Sequence, residues 1–154
     1  MLNTGVCDPS ICNNLALRVD PTANNNKLIL RACQLGDVEL VRELLRDPRV
    51  NPADRNNACI EAACANGHVE IVEMLLQTYC VDATVNNHAS LRSACLEGHA
   101  AVAKLLLDNY RGPTLALRQL LISVCRLGHV DVFRVILAHL NTRQELEEQH
   151  CKKD

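Results

Sequence analysis

Aromatic residues are nearly missing from this sequence: no Trp, one Phe (Phe133) and two Tyr (Tyr79 and Tyr110) in 154 residues. A core must therefore be packed from Leu, Ile, Val, Ala and Cys, which suits thin layers of small aliphatic side chains better than one thick centre. Neither sign of charge is in excess, since 16 Lys and Arg stand against 18 Asp and Glu for a formal net charge of −2. Such a chain makes no long-range field toward phosphate backbones or anionic lipid, so neither nucleic acid nor membrane is expected as a partner. No run approaches the roughly 20 apolar residues of a membrane helix, and Met1 to Pro9 has neither the basic nor the apolar region of a signal peptide. A cytosolic or nuclear setting is expected. C-x-x-C is absent and the nine cysteines are an odd count, which points to free thiols rather than a disulfide framework. There is no Gly-rich phosphate loop, nucleophile elbow or clustered carboxylate pair, so the expectation is no enzyme, no cofactor and no metal.

What is present is repetition. Ala32-Cys33-Gln34-Leu35-Gly36-Asp37-Val38-Glu39-Leu40-Val41 recurs as Ala63-Cys64-Ala65-Asn66-Gly67-His68-Val69-Glu70-Ile71-Val72, again from Ala94 to Ala103, and again from Val124 to Phe133. Gly36, Gly67, Gly98 and Gly128 step by 31, 31 and 30 residues. A second marker keeps the same step: Arg18-Val19-Asp20-Pro21, Arg49-Val50-Asn51-Pro52 and Cys80-Val81-Asp82-Ala83. A period of this length is the signature of a solenoid.

Within a unit the pattern reads helix, turn, helix, long loop. Ile60 and Ala63 share a face, Gly67 breaks the run, and Val69, Val72, Leu75 and Leu76 mark a second apolar stripe. Glycine ends the first helix because it takes positive φ at little cost. Asp47-Pro48-Arg49-Val50-Asn51-Pro52 and then Asn56-Asn57 carry turn and cap chemistry. One such pair cannot bury its own apolar faces, whereas stacked pairs share a continuous core.

These residues resemble the ankyrin repeat family over about residues 18 to 140. Ala63-Ala65-Asn66-Gly67-His68-Val69-Glu70-Ile71-Val72 and Leu75-Leu76 are similar to the second half of its repeat, and Val50-Asn51 to the Val-Asn before its hairpin loop. The family's Thr-Pro-Leu-His is replaced by Ala58-Cys59-Ile60-Glu61 and its counterparts, and the units are about two residues short. The resemblance implies an all-α solenoid of stacked antiparallel helix pairs joined by hairpin-like loops. One domain, 1–154, is expected: a leading cap or partial repeat at 1–17, with Asp8 and Pro9 opening a helix over 8 to 17, then repeats at 18–48, 49–79, 80–110 and 111–140. Thr142 and Glu145 form a capping-box pattern that predicts a separate C-terminal capping helix within 141–154.

Two residue series invite chemistry. Cys33, Cys64, Cys95 and Cys125 occupy one register in four layers. Helices stack 8 to 10 Å apart, too far for disulfides, and ligands on a line make no tetrahedron, so small buried core residues are expected. His68, His99 and His129 follow the glycines, while Asp37 takes that place in the first copy. A polar group that ties loops between neighbours accounts for the series better than zinc.

The resemblance further implies a module that binds a partner protein, as a monomer, through the groove formed by loops and first-helix ends. The family's contact positions fall on Asn24, Asn25, Gln34 and Leu35, then Arg55, Asn56, Ala65 and Asn66, then Asn86, Asn87, Leu96 and Glu97, and finally Arg126 and Leu127. Leu35, Leu96 and Leu127, beside the glycines, are expected to form an apolar row. The competing function is a thiol-based redox or metal sensor drawing on the nine cysteines.

Overall fold

Each copy of the repeat places two apolar stripes on either side of a glycine, and the chain obeys by folding back on itself at every one. A computed structural model describes residues 23–78, 80–110 and 112–151, without the side chains of 23–25, 85–87 and 145–151 inside the helices. Eight helices follow in order: α1 (Ala23–Leu35), α2 (Val38–Arg46), α3 (Asp54–Ala65), α4 (Val69–Leu76), α5 (Val85–Leu96), α6 (Ala100–Asp108), α7 (Thr114–Leu127) and α8 (Val130–Cys151). There is no strand among the described residues. The first helices α1, α3, α5 and α7 pack side by side in one layer, the second helices α2, α4, α6 and α8 in another, and each pair closes on itself. This is the all-α solenoid expected.

The core runs along the stack in register. Ala32, Ala63, Ala94 and Val124 are buried at one level, Ile29, Ile60 and Leu91 at another, and Leu44, Leu75, Leu106 and Ile136 close each pair from the second helix. Small residues at the Ala level let the helices approach closely, while each fully buried Leu or Ile contributes about 1.5–3 kcal/mol of hydrophobic stabilisation. Ile71, Val102 and Val132 are wholly buried as well.

Asparagine sets the start of the first helices in a way that its turn chemistry only hinted at. Asn26, Asn57 and His88 stand one period apart and all have positive φ, 56°, 62° and 58°. Asn tolerates that conformation better than most residues. From there the Asn26 Oδ1 accepts a bond from the Asn51 N–H (3.0 Å), and the Asn57 Oδ1 accepts one from the Asp82 N–H (3.1 Å). Each therefore fastens its own repeat to the loop of the next. Asn26 Nδ2 also donates to Asp54 (3.2 Å), the main cause of a carboxyl held below the usual range. Within the loops Asn51 accepts from Ala53 N–H and Asp82 from Thr84 N–H, so these side chains shape turns rather than cap helices.

The third junction breaks this rule. The position that should donate to residue 88 is Pro113, which has no N–H. His88 replaces Asn there and stacks on Tyr110 instead, ring centroids 4.6 Å apart, while the Tyr110 hydroxyl donates to the Pro113 carbonyl (3.2 Å).

Three expectations need amendment or fall elsewhere. Residues 141–151 are not a separate capping helix, because α8 runs unbroken to Cys151. Thr142 does not cap: its hydroxyl turns back to the carbonyls of Ala138 (3.1 Å) and His139 (2.9 Å). The helix expected over 8 to 17 lies outside the described residues. Cys33, Cys64 and Cys95 are fully buried as expected, but Cys125 is exposed, since no further described pair covers the fourth layer. Burial pushes the Cys95 thiol up to about 12, and burial with Glu61 nearby does the same for Cys64. In native protein a thiol reagent is therefore expected to modify Cys125 well before Cys64 and Cys95, read by peptide mass mapping. Equal labelling of all three would contradict the layered burial.

Candidate functional site

The repeats are joined by one recurring contact at their turns. The ring Nε2 of His68 lies 3.4 Å from the Gln34 carbonyl, that of His99 3.0 Å from the Ala65 carbonyl, and that of His129 2.9 Å from the Leu96 carbonyl. A carbonyl only accepts, so Nε2 carries the hydrogen. Each ring lies against the glycine of the repeat before: a β-carbon on Gly67 would come within 2.5 Å of the His99 ring, and one on Gly98 within 2.8 Å of His129. Asp37, which takes the place of His in the first copy, caps α2 by accepting from the Leu40 N–H (3.0 Å). These histidines hold loops together, and among the described residues no three His, Cys, Asp or Glu side chains gather as metal ligands.

Beside the turns, the outer side of the first-helix layer presents one register from every repeat. Gln34, Ala65, Leu96 and Arg126 share one register, each being the second residue before its glycine. Three and seven residues earlier on each helix lie Arg31 and Lys27, Ala62 and Ala58, Ser93 and Ala89, Ser123 and Gln119. All of these are exposed or half-buried, and the spacing keeps them on one helix face. The middle of the face is thus floored by Ala58, Ala62 and Ala65, with larger polar side chains at both ends.

The residues implied by the family contact pattern separate into two groups on this layer. Gln34, Leu35, Asn66, Glu97, Arg126 and Leu127 are exposed at the glycine end, with Ala65 half-buried among them. Arg55 and Asn56 are exposed at the other end of α3, where they and Asn57 take left-handed φ/ψ and kink the chain before the rest of the helix. Asn66 bonds back to the Ala62 carbonyl (2.8 Å) and so also closes its own helix. The side chains of Asn24, Asn25, Asn86 and Asn87 lie outside the described ones.

The apolar row needs correction. Leu35 and Leu127 stand in register immediately before Gly36 and Gly128 and are 65% and 54% exposed. Leu96 is one residue earlier and packs partly against the core, while Glu97 holds the position in register with the two leucines. The row is two leucines at the ends of the stack with Asn66 and Glu97 between.

Between α5 and α7 the layer opens into a cleft of about 240 Å³, whose walls include His88, Arg92 and Leu96 on one side and Leu117, Leu120 and Ser123 on the other. It lies at the one junction where Pro113 replaces a backbone donor. Family contact positions did not point to Arg92, Gln119 or Ser123, although stepping back three and seven residues from Arg126 would have found the last two.

Stacked helix pairs, tied at every turn by the same ring-to-carbonyl contact and differing along one outer face, define a helical-repeat solenoid. The chain belongs to the ankyrin repeat family: a family model of ankyrin repeats, in three copies, matches residues 28–116. No curated protein matches the chain. Ankyrin repeats are generally protein-interaction modules, and none of the described helices is long and apolar enough to cross a membrane.

Proposed function

We propose that this chain is a non-catalytic module that holds a partner protein on the outer face of its first-helix layer, as a monomer in a cytosolic or nuclear setting. The observation behind this reading is the contrast between frame and face. Positions that tie repeats together are repeated, as with His68, His99 and His129, whereas the register Gln34, Ala65, Leu96 and Arg126 changes size at every step and gains a charge at the last. A surface that varies from copy to copy is where a partner is recognised. Leu35 and Leu127, exposed at its two ends, supply the apolar contact.

The test is a paired substitution. Leu35→Asp with Leu127→Asp alters exposed side chains, so circular dichroism and melting temperature should stay within about a degree or two of the parent. Binding to a partner isolated with the parent chain as bait is expected to fall at least tenfold. Unchanged affinity would place the contact elsewhere on the molecule.

A further inference from the structure

The cleft between α5 and α7 and the distribution of charge together say what kind of partner segment suits this face. Although the chain carries a net charge of −2, its first-helix layer is positive. The first helices hold Lys27, Arg31, Arg55, Arg92, Arg118 and Arg126 against only Asp54 and Glu61, a surplus of four positive charges. Among the described side chains the second helices hold six acidic residues against five basic ones and are close to balance. All six basic side chains of the first layer are exposed, and among the described residues Arg92, Arg118 and Arg126 make no ion pair within the chain.

Arg92 is itself a wall of the cleft. Arg126 stands three and seven residues beyond Ser123 and Gln119, two more wall residues, and therefore on the same face of α7. Between these cations the depression is floored by Leu91, Leu96, Leu117 and Leu120. A depression lined partly by leucines and partly by polar groups, with the Arg92 guanidinium in its wall and Arg126 one turn beyond Ser123, fits an apolar side chain with carboxylates beside it. The depression lies at the junction that has lost its asparagine tie. His88 and Pro113 leave the first helices of the last two repeats without the bond that Asn26 and Asn57 make further back.

We propose that this cleft seats a single Leu, Ile or Met side chain of an acidic segment of the partner protein, with Arg92 and Arg126 taking its carboxylates. The proposal rests on the outer-face reading above and adds the chemistry of the segment bound. Nucleic acid is the other polyanion such charges attract, but the floor offers leucines rather than free aromatic faces, and His88 and Tyr110 are stacked on each other.

The experiment pans a displayed library of random linear 12-residue peptides against the full chain. Enriched peptides are expected to carry Asp or Glu on both sides of one Leu, Ile or Met. A fluorescein-labelled peptide of that kind should bind the parent chain and bind Arg92→Glu with Arg126→Glu at least tenfold more weakly. Its affinity should also drop several-fold between about 50 and 500 mM salt, as expected for exposed ion pairs. Ser123→Trp, which fills the cleft from a half-buried position, should remove binding while circular dichroism is unchanged. Enriched peptides without acidic residues, affinity indifferent to the arginine pair, or tighter binding of a single-stranded oligonucleotide to the same arginines would each overturn the proposal. If no peptide enriches while a captured partner still depends on Leu35 and Leu127, the acidic segment is wrong and the binding face stands. Loss of that dependence as well takes down both.

Discussion

Gly67→Ala is expected to destabilise the protein by about 3 kcal/mol or more, against about 1–2 kcal/mol for Gly128→Ala, although the two glycines have nearly the same backbone. Their φ values are +75° and +79°, so any L side chain meets the same left-handed penalty of about 1–2 kcal/mol at either place. The difference lies in what surrounds the missing β-carbon. At Gly67 it would fall 2.5 Å from Nδ1 of His99 and 2.7 Å from its Cε1, whereas nothing lies within 4 Å at Gly128. The ring must move, and in moving it gives up its bond to the Ala65 carbonyl, worth about 1 kcal/mol. Urea denaturation of the two variants measures the gap. Adding His99→Ala to Gly67→Ala should recover about 1 kcal/mol relative to the sum of the single changes, because the ring that clashes has gone. Equal losses at the two glycines, or strict additivity in the double variant, would show that the ring contact contributes nothing.

This pair of glycines also shows how far the chain could be understood before its structure. That each copy ends its first helix at a glycine is a local matter of φ and apolar period, and it was legible from one repeat alone. That the histidine after the glycine ties neighbouring loops followed from its recurrence and from the swap to Asp37. The failures come where local chemistry is overruled by what lies next door. Thr142 and Glu145 spell a helix start, yet α8 is already helical there, and with Leu140 packed against the core the chain has no reason to stop. Cys125 matches its three counterparts in sequence and differs only in having no following described layer to cover it.

The candidate site was half legible for a related reason. Contact positions at the helix ends could be carried from copy to copy by counting from the glycine, and a slip of one residue moved Leu96 into a row to which it does not belong. The cleft was invisible to such counting. It lies where two departures from the pattern meet, His88 in place of Asn and Pro113 in place of a residue with an N–H, separated by 25 positions. Neither means anything until the loop of one repeat is laid against the helix of the one before. The face is thus made by exceptions and the frame by rules, which is why partner specificity in a repeat protein resides where the repeat is broken.

Leu107→Ala is expected to remove about 3–4 kcal/mol of stability, and Leu137→Ala, one period later on the equivalent face, less than about 1 kcal/mol. Leu107 is 1% exposed beside α8, while Leu137 is 40% exposed on the last described helix. Coverage by the long α8 separates them, since residue type and register are the same. Earlier counterparts Leu45 and Leu76 are only half-buried; α8, with 22 residues against 8 or 9 in the other second helices, has the length to cover more of its neighbour. Its later turns reach back, with His139 edge-on to Tyr110 at 6.3 Å and Arg143 donating to the Gly112 carbonyl (3.0 Å). Ending the chain at Tyr110 should therefore uncover Leu91, Cys95 and Leu107 together and lower stability by about 5 kcal/mol, comparable to the whole margin of a small domain. In that shortened chain Leu107 becomes an end residue, so Leu107→Ala should cost about as little as Leu137→Ala does in the parent. Chemical denaturation of the four proteins decides it: an undiminished Leu107→Ala effect after truncation would mean that the layers do not depend on their neighbours, and the solenoid account of stability would fail.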